Sequence, residues 1–154
     1  MLTTHKISAE LYFDTFELLA IHAALEDYTI AYTLNKYLKL NLSRCKRDIR
    51  LSNLASFSLF EWMDKLSETN WILFKNQSDK EQEGLLGGLF DNDKTTTINY
   101  LVSERKEVDY FLKIQSDESS IINDIVNEVN KIPDVLTAYA IDVEKLRSRK
   151  NLIT

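Results

Sequence analysis

Hydrophobic and polar positions along the chain fall into seven patterned runs. Phe16-Glu-Leu-Leu-Ala-Ile-His22-Ala is short and almost wholly apolar, as suits a strand buried on both faces, with a helical continuation from Leu11 as the competing reading. Asp27 suits a helix cap or first-turn acid. Behind it Tyr28, Ala31, Leu34 or Asn35, and Leu38 recur at helical spacing, predicting a helix over about 27–40. Phe57–Met63 and Trp71–Phe74 are rich in aromatics and predict two strands, joined as a hairpin through the polar stretch 64–70. Val108, Tyr110, Leu112 and Ile114 alternate with Asp109, Phe111, Lys113 and Gln115, which predicts a strand with one apolar and one mixed face. Ile121, Ile122, Ile125, Val126, Val129 and Ile132 form a helical stripe that Asp117 or Ser119 can cap and Pro133 ends. Val135–Ile141 reads as a closing strand.

The order strand, helix, three strands, helix, strand predicts an α+β fold with a mostly antiparallel sheet and two main helices. Setting one hairpin strand aside leaves the split β-α-β pattern of a ferredoxin-like arrangement, with that strand as an extra. Both helices then share one face, and the other face needs cover, for which a second subunit is the expectation. Alternation puts Phe60 and Trp62 on one side of their strand and Phe57 and Leu59 on the other. Together with Trp71 they offer more aromatic surface than one face requires, and large apolar patches mark interfaces or ligand grooves. A homodimer through the sheet follows as an expectation.

A length of 154 residues favours a single domain over 1–154, large enough to build its own core. All three glycines fall in Gly84-Leu-Leu-Gly87-Gly88, so a long loop is predicted at about 76–97. That run lacks the GxxxxGK[ST] pattern that cradles phosphates. Arg147, Arg149 and Lys150 mark a short basic C-terminal tail from about 145, solvated or turned into a short helix. One cysteine, Cys45, excludes an internal disulfide. No run approaches the roughly 18 apolar residues of a membrane span, and no signal-peptide pattern opens the chain, so a cytoplasmic protein is expected. A net charge of −5 argues against broad nucleic-acid binding, while leaving room for a local basic patch. Arg44, Lys46, Arg47 and Arg50, offset only by Asp48, form the sharpest such cluster and a candidate anion site.

At Val102-Ser103-Glu104-Arg105-Lys106-Glu107-Val108-Asp109-Tyr110 the chain resembles the IPExxxVDY family of bacterial proteins. Glu104 and Val108-Asp109-Tyr110 match that signature, Val102 stands at its isoleucine, and Ser103 at its proline, so φ is not fixed there by a ring. Phe16–Ala23, Asp27-Tyr28 with Leu34-Asn35-Lys36, Phe57–Trp62 and Asp142–Leu152 look similar too, so the resemblance spans most of the chain. The family is named for its signature and not for an activity. What the resemblance implies is a free-standing cytoplasmic protein of this length, encoded near ribonuclease III and pyruvate kinase.

Candidate chemistry is thin. Glu104 and Asp109, five apart in an extended chain, point to opposite faces, which favours structural roles over a paired acid and base. Asn35 interrupts an apolar stripe and suits a bond to a neighbouring loop or a ligand. His5 and His22 lack partners at metal-ligand spacing, so no metal and no cofactor is expected. Cys45 sits among Arg44, Lys46 and Arg47, which would lower its pKa, but a histidine partner is not identifiable. The favoured reading is a non-enzymatic interaction or small-ligand-binding domain, with Tyr28, Asn35, Phe60, Trp62 and Trp71 as candidate ligand or interface residues. An accessory to RNA or ribonucleoprotein is the alternative, and a hydrolase using Glu104 or Asp109 with His22 the third.

Overall fold

The computed structural model describes residues 15–52, 55–78, 98–117 and 120–153. His5, Ser119, the Gly84–Gly88 run and most of the 76–97 loop lie outside them. The fold is α+β. Its elements are β1 (Glu17–His22), α1 (Asp27–Leu38), β2 (Ser43–Arg44), β3 (Ile49–Ser52), β4 (Ala55–Phe57), β5 (Leu59–Asp64), β6 (Thr69–Lys75), β7 (Tyr110–Gln115), α2 (Ile122–Asn130) and β8 (Thr137–Ile141), with single 3₁₀ turns at Ser103–Arg105, Val143–Lys145 and Arg149–Leu152.

Six strands form one sheet in the order β2-β5-β6-β7-β1-β8, every neighbouring pair antiparallel, and β3 and β4 form a separate hairpin. β1 lies between β7 and β8, which explains its apolar run: Leu18, Leu19, Ala20 and Ile21 are buried whichever way they point. The aromatic run expected as one strand breaks at Ser58 into β4 and β5, which belong to different sheets. β2 and β3 were not anticipated, because two and four residues of charged chain carry no readable period.

One face of the sheet carries both helices. Leu19, Ile21, Leu73, Leu112 and Ile114 pack there with Ile30, Ala31 and Leu34 of α1 and Val129 of α2. Tyr28 does not join the α1 stripe as its spacing suggested: it is 67 % exposed, as is Tyr32 one turn on. The stripe turns instead on Ile30, Ala31 and Leu34.

The other face does not wait for a second subunit. Leu18, Ala20, Ile72, Phe74 and Phe111 are covered by Phe57 of β4, by Leu101, Val102 and Val108 before β7, and by Leu152 near the C-terminus. Burying a leucine or phenylalanine is worth roughly 1.5–3 kcal/mol, so these segments stabilise the face they cover. Of the two readings of the basic tail the structure takes the short helix, the 3₁₀ turn Arg149–Leu152, packed on this face. Leu152 is fully buried, its carbonyl accepts from Lys113 Nζ at 2.7 Å, and Asn151 Nδ2 donates to Leu101 O at 2.9 Å. No helix among the described residues is long and apolar enough to cross a membrane.

Candidate functional site

The basic cluster becomes a groove because two short strands fold it back on itself. Asn35 fixes the entry: its Nδ2 donates to Leu42 O at 3.0 Å and its Oδ1 accepts from Leu42 N at 2.8 Å. The residue singled out as loop anchor or ligand contact thus holds the α1–β2 connection. The chain then pairs Ser43 and Arg44 with Glu61 and Phe60 at the sheet edge. After the bend at 45–48 it enters β3, where Arg50 lies opposite Ser56 of β4. The result is a cavity of about 630 Å³ lined by Arg44, Lys46, Arg47, Asp48, Arg50 and Ser56.

Arg44 is the fixed member. Its Nη1 donates to Cys45 O at 2.9 Å and lies 3.4 Å from Leu59 O, its Nη2 pairs with Asp48, and its guanidinium lies over the Phe60 ring at 5.7 Å. Lys46, Arg47 and Arg50 are exposed, and no carboxylate among the described residues pairs with them. The neighbouring Cys45 departs from the sequence expectation. Burial pushes its thiol pKa up, the Glu61 carboxylate adds to this, and Arg44 opposes both without overcoming them. The cations beside it in sequence therefore do not yield a thiolate nucleophile.

The signature residues are bound into the fold elsewhere. Ser103 starts a 3₁₀ turn without the proline, closed by Arg105 N donating to Val102 O at 3.1 Å. Glu104, in that turn, accepts from Ser148 N at 2.8 Å and from Ser148 Oγ at 2.7 Å. Partial burial pushes its pKa up, but the two Ser148 donors outweigh that and hold it below the usual carboxylate range. Val108 is buried against the second face, Asp109 Oδ2 accepts from Ala23 N at 2.9 Å, and Tyr110 Oη donates to Leu25 O. Asp109 and Tyr110 thereby tie down the β1–α1 turn and line a smaller cavity of about 230 Å³ with Glu26, Lys75 and Gln77. His22 Nε2 meets Tyr139 Oη at 2.9 Å. Glu104, Asp109 and His22 are thus engaged by three different partners, Ser148, Ala23 and Tyr139.

The aromatic candidates mostly serve the core. Phe60 and Trp71 are buried on the helix face and Trp62 packs half-buried against them. Two polar residues of the interior carried no sequence signal: Asn76, an isolated asparagine after a strand, and Lys113, on the mixed face of β7 and only 1 % exposed. Among the described residues no group of three His, Cys, Asp or Glu side chains is placed to hold a metal ion. No family model matches the chain, and no curated protein matches it either.

Proposed function

We propose that the chain is a non-enzymatic binding domain that seats a small phosphate-bearing anion in the groove between β2 and β3. The observation that carries this is the convergence of Arg44, Lys46, Arg47 and Arg50 on one concavity, with Asp48 as the opposing charge. Its volume of about 630 Å³ falls in the range of roughly 300–1,000 Å³ common for small-molecule sites. Arginine forks and a lysine suit phosphate oxygens, and the Ser56 hydroxyl adds a polar group at the wall. The test is a thermal-shift panel of phosphosugars, nucleotides, inorganic phosphates, amino acids and short RNA. A ligand at about 100 times its dissociation constant adds roughly 2.7 kcal/mol, and each kcal/mol moves the midpoint about 2–4 °C in a domain of this size. Phosphate-bearing compounds shift the wild type by several degrees and leave Arg47→Glu/Arg50→Glu unmoved. A panel in which none of them shifts the wild type refutes the proposal.

Backbone contact to RNA is the second reading, favoured by the exposure of Arg44, Lys46, Arg47 and Arg50 to anything as large as a polymer. Among the described residues no aromatic side chain lines the groove to stack a base, so such contact would be to phosphates and insensitive to sequence. Charge reversal at Arg44, Lys46 and Arg47 would then weaken RNA binding and flatten its salt slope. The wider frame of the proposal is a cytoplasmic protein of the IPExxxVDY family, resting on Glu104 and Val108–Tyr110. A ferredoxin-like sheet belongs to the same frame, supported by β6 and β1 running in one direction with β7 between them. A homodimer through a sheet face is not part of it, because each face is covered by the chain itself.

A further inference from the structure

We propose that the β8 edge of the sheet is a docking surface for a second copy of this chain, held shut by the side chain of Asn130. β8 is the last strand in the sheet order, so its side away from β1 has no strand beside it. In an antiparallel ladder, successive residues point their backbone groups alternately toward one side and the other. Ala138 points outward: its N donates to Asn130 Oδ1 at 2.8 Å, and its O accepts from Asn130 Nδ2 at 2.8 Å. These are the two bonds that an added strand would make to it. Ala140, two residues on, presents its N–H and C=O to the same side, with no such cap among the described residues. Asn130 is the last residue of α2, and its Nδ2 also donates to Val126 O at 3.0 Å. The opposite edge is closed in the same way. Asn35 of α1 takes both backbone groups of Leu42 at the entrance to β2, the other terminal strand. Each helix thus lends an asparagine to the edge strand that follows it, 7 residues on for Asn35 and 8 for Asn130.

The strand itself identifies the occupant. Thr137-Ala138-Tyr139-Ala140-Ile141 carries no charged side chain, so two copies meet without like-charge repulsion. Antiparallel pairing of β8 with β8 about a two-fold axis at Tyr139 sets Ala138 of one copy opposite Ala140 of the other. Such a pair exchanges two hydrogen bonds, and the axis generates the same pair twice. Both pairs need Ala138, so Asn130 blocks the whole ladder by holding one residue. An edge with free backbone groups is a template for strand addition. The last turn of α2 therefore controls association. While Asn130 stays on Ala138 the chain is monomeric, and when it lets go the edge pairs.

The experiment compares the full chain, Asn130→Ala, Ala140→Pro and Asn130→Ala/Ala140→Pro by sedimentation velocity from ~10 to ~100 μM, within the range where unpaired strand edges associate. Circular dichroism confirms that each is folded. Proline at 140 removes an outward N–H and leaves the bonds to β1 in place. The wild type should sediment as a monomer, Asn130→Ala as a dimer, and the double variant as a monomer again. A folded Asn130→Ala that stays monomeric across the range overturns the proposal. So does association that Ala140→Pro does not reverse, since it would come from another surface. A wild type that dimerises and is returned to a monomer by Ala140→Pro alone has an open edge, which overturns the role of Asn130. If Asn130→Ala does not fold, the wild type decides by NMR. Both side-chain amide protons of Asn130 should exchange about 2–10-fold more slowly than those of Asn127, exposed on the same helix. Equal rates would show that Asn130 does not hold Ala138, and the proposal falls.

Discussion

At the scale of single residues, Asn76 connects the signature segment to the sheet. It is 0 % exposed, its Nδ2 donates to Arg105 O and Val108 O at 2.9 Å each, and its Oδ1 accepts from Val102 N at 2.9 Å. Its own backbone joins in, accepting from Leu101 N at 2.8 Å and donating to Asp109 O at 3.0 Å. Asn76→Ala removes the side-chain partners of the Val108 carbonyl and the Val102 amide in the interior, while Arg105 O keeps Val108 N at 3.2 Å. Unsatisfied buried groups cost about 1–3 kcal/mol each, so a loss of about 3–5 kcal/mol in urea unfolding is expected, and a loss below about 1 kcal/mol would contradict this account. Cys45 gives a second test at this scale. Its raised pKa means that alkylation by iodoacetamide follows a pH profile with a midpoint above the ordinary thiol value of about 8.5. Glu61→Gln removes one of the two causes and moves that midpoint down; a wild-type midpoint below about 8.5 would contradict the assignment. Neither residue was legible beforehand. Asn76 is one polar side chain in a polar stretch, and Cys45 was judged by neighbours in sequence when burial and a cross-strand carboxylate decide its behaviour.

At the scale of elements, long patterned runs were legible and short or charged ones were not. β1, β7 and α2 form where their apolar patterns placed them, because a run of six to nine patterned residues outvotes any single side chain. The basic cluster was legible as a charge, but its concavity was not, since that depends on β2 and β3 turning it inward. The C-terminal segment forms two short 3₁₀ turns, the helical one of its two readings. Its arginines and lysine carry the sequence signal, yet the anchors are Ser148, Asn151 and Leu152 between them. Glu104 fastens this segment, which yields a prediction with a definite sign. Its folded pKa lies below the unfolded one, so its contribution is present above the unfolded pKa, about 4.3, and is lost as pH falls through the folded value. Glu104→Gln should therefore cost stability at pH 7, by about 1 kcal/mol given how exposed and screened the carboxylate is. The gap between variant and wild type should close as pH drops to 3. A gap that widens toward low pH in urea titrations would exclude the Glu104–Ser148 contact as its source.

At the scale of the whole molecule, the arrangement is a sheet with two covered faces. The aromatic residues exceed what one face requires, and the chain itself covers the second face. Two apolar faces need two layers, but the second layer need not be another subunit when the chain supplies it in three pieces: the β3–β4 hairpin, the 101–108 segment and the C-terminal turns. None of the three looks like a layer in sequence, since each is short, and only their assembly on one face makes them so. The C-terminal piece is the one that can be removed without interrupting the chain. Ending the protein after Asp142 would delete Val143, Leu146 and Leu152 from the second core and leave Lys113 without its Leu152 carbonyl contact. Exposing a contiguous apolar patch invites association. Analytical ultracentrifugation at ~10 μM should then find the full chain monomeric and the shortened one self-associated, with a lower thermal midpoint. A full chain that dimerises at that concentration would restore the second subunit as a partner on a surface other than the two described faces. A shortened chain that stays monomeric and equally stable would show that the C-terminal turns contribute little to covering the sheet.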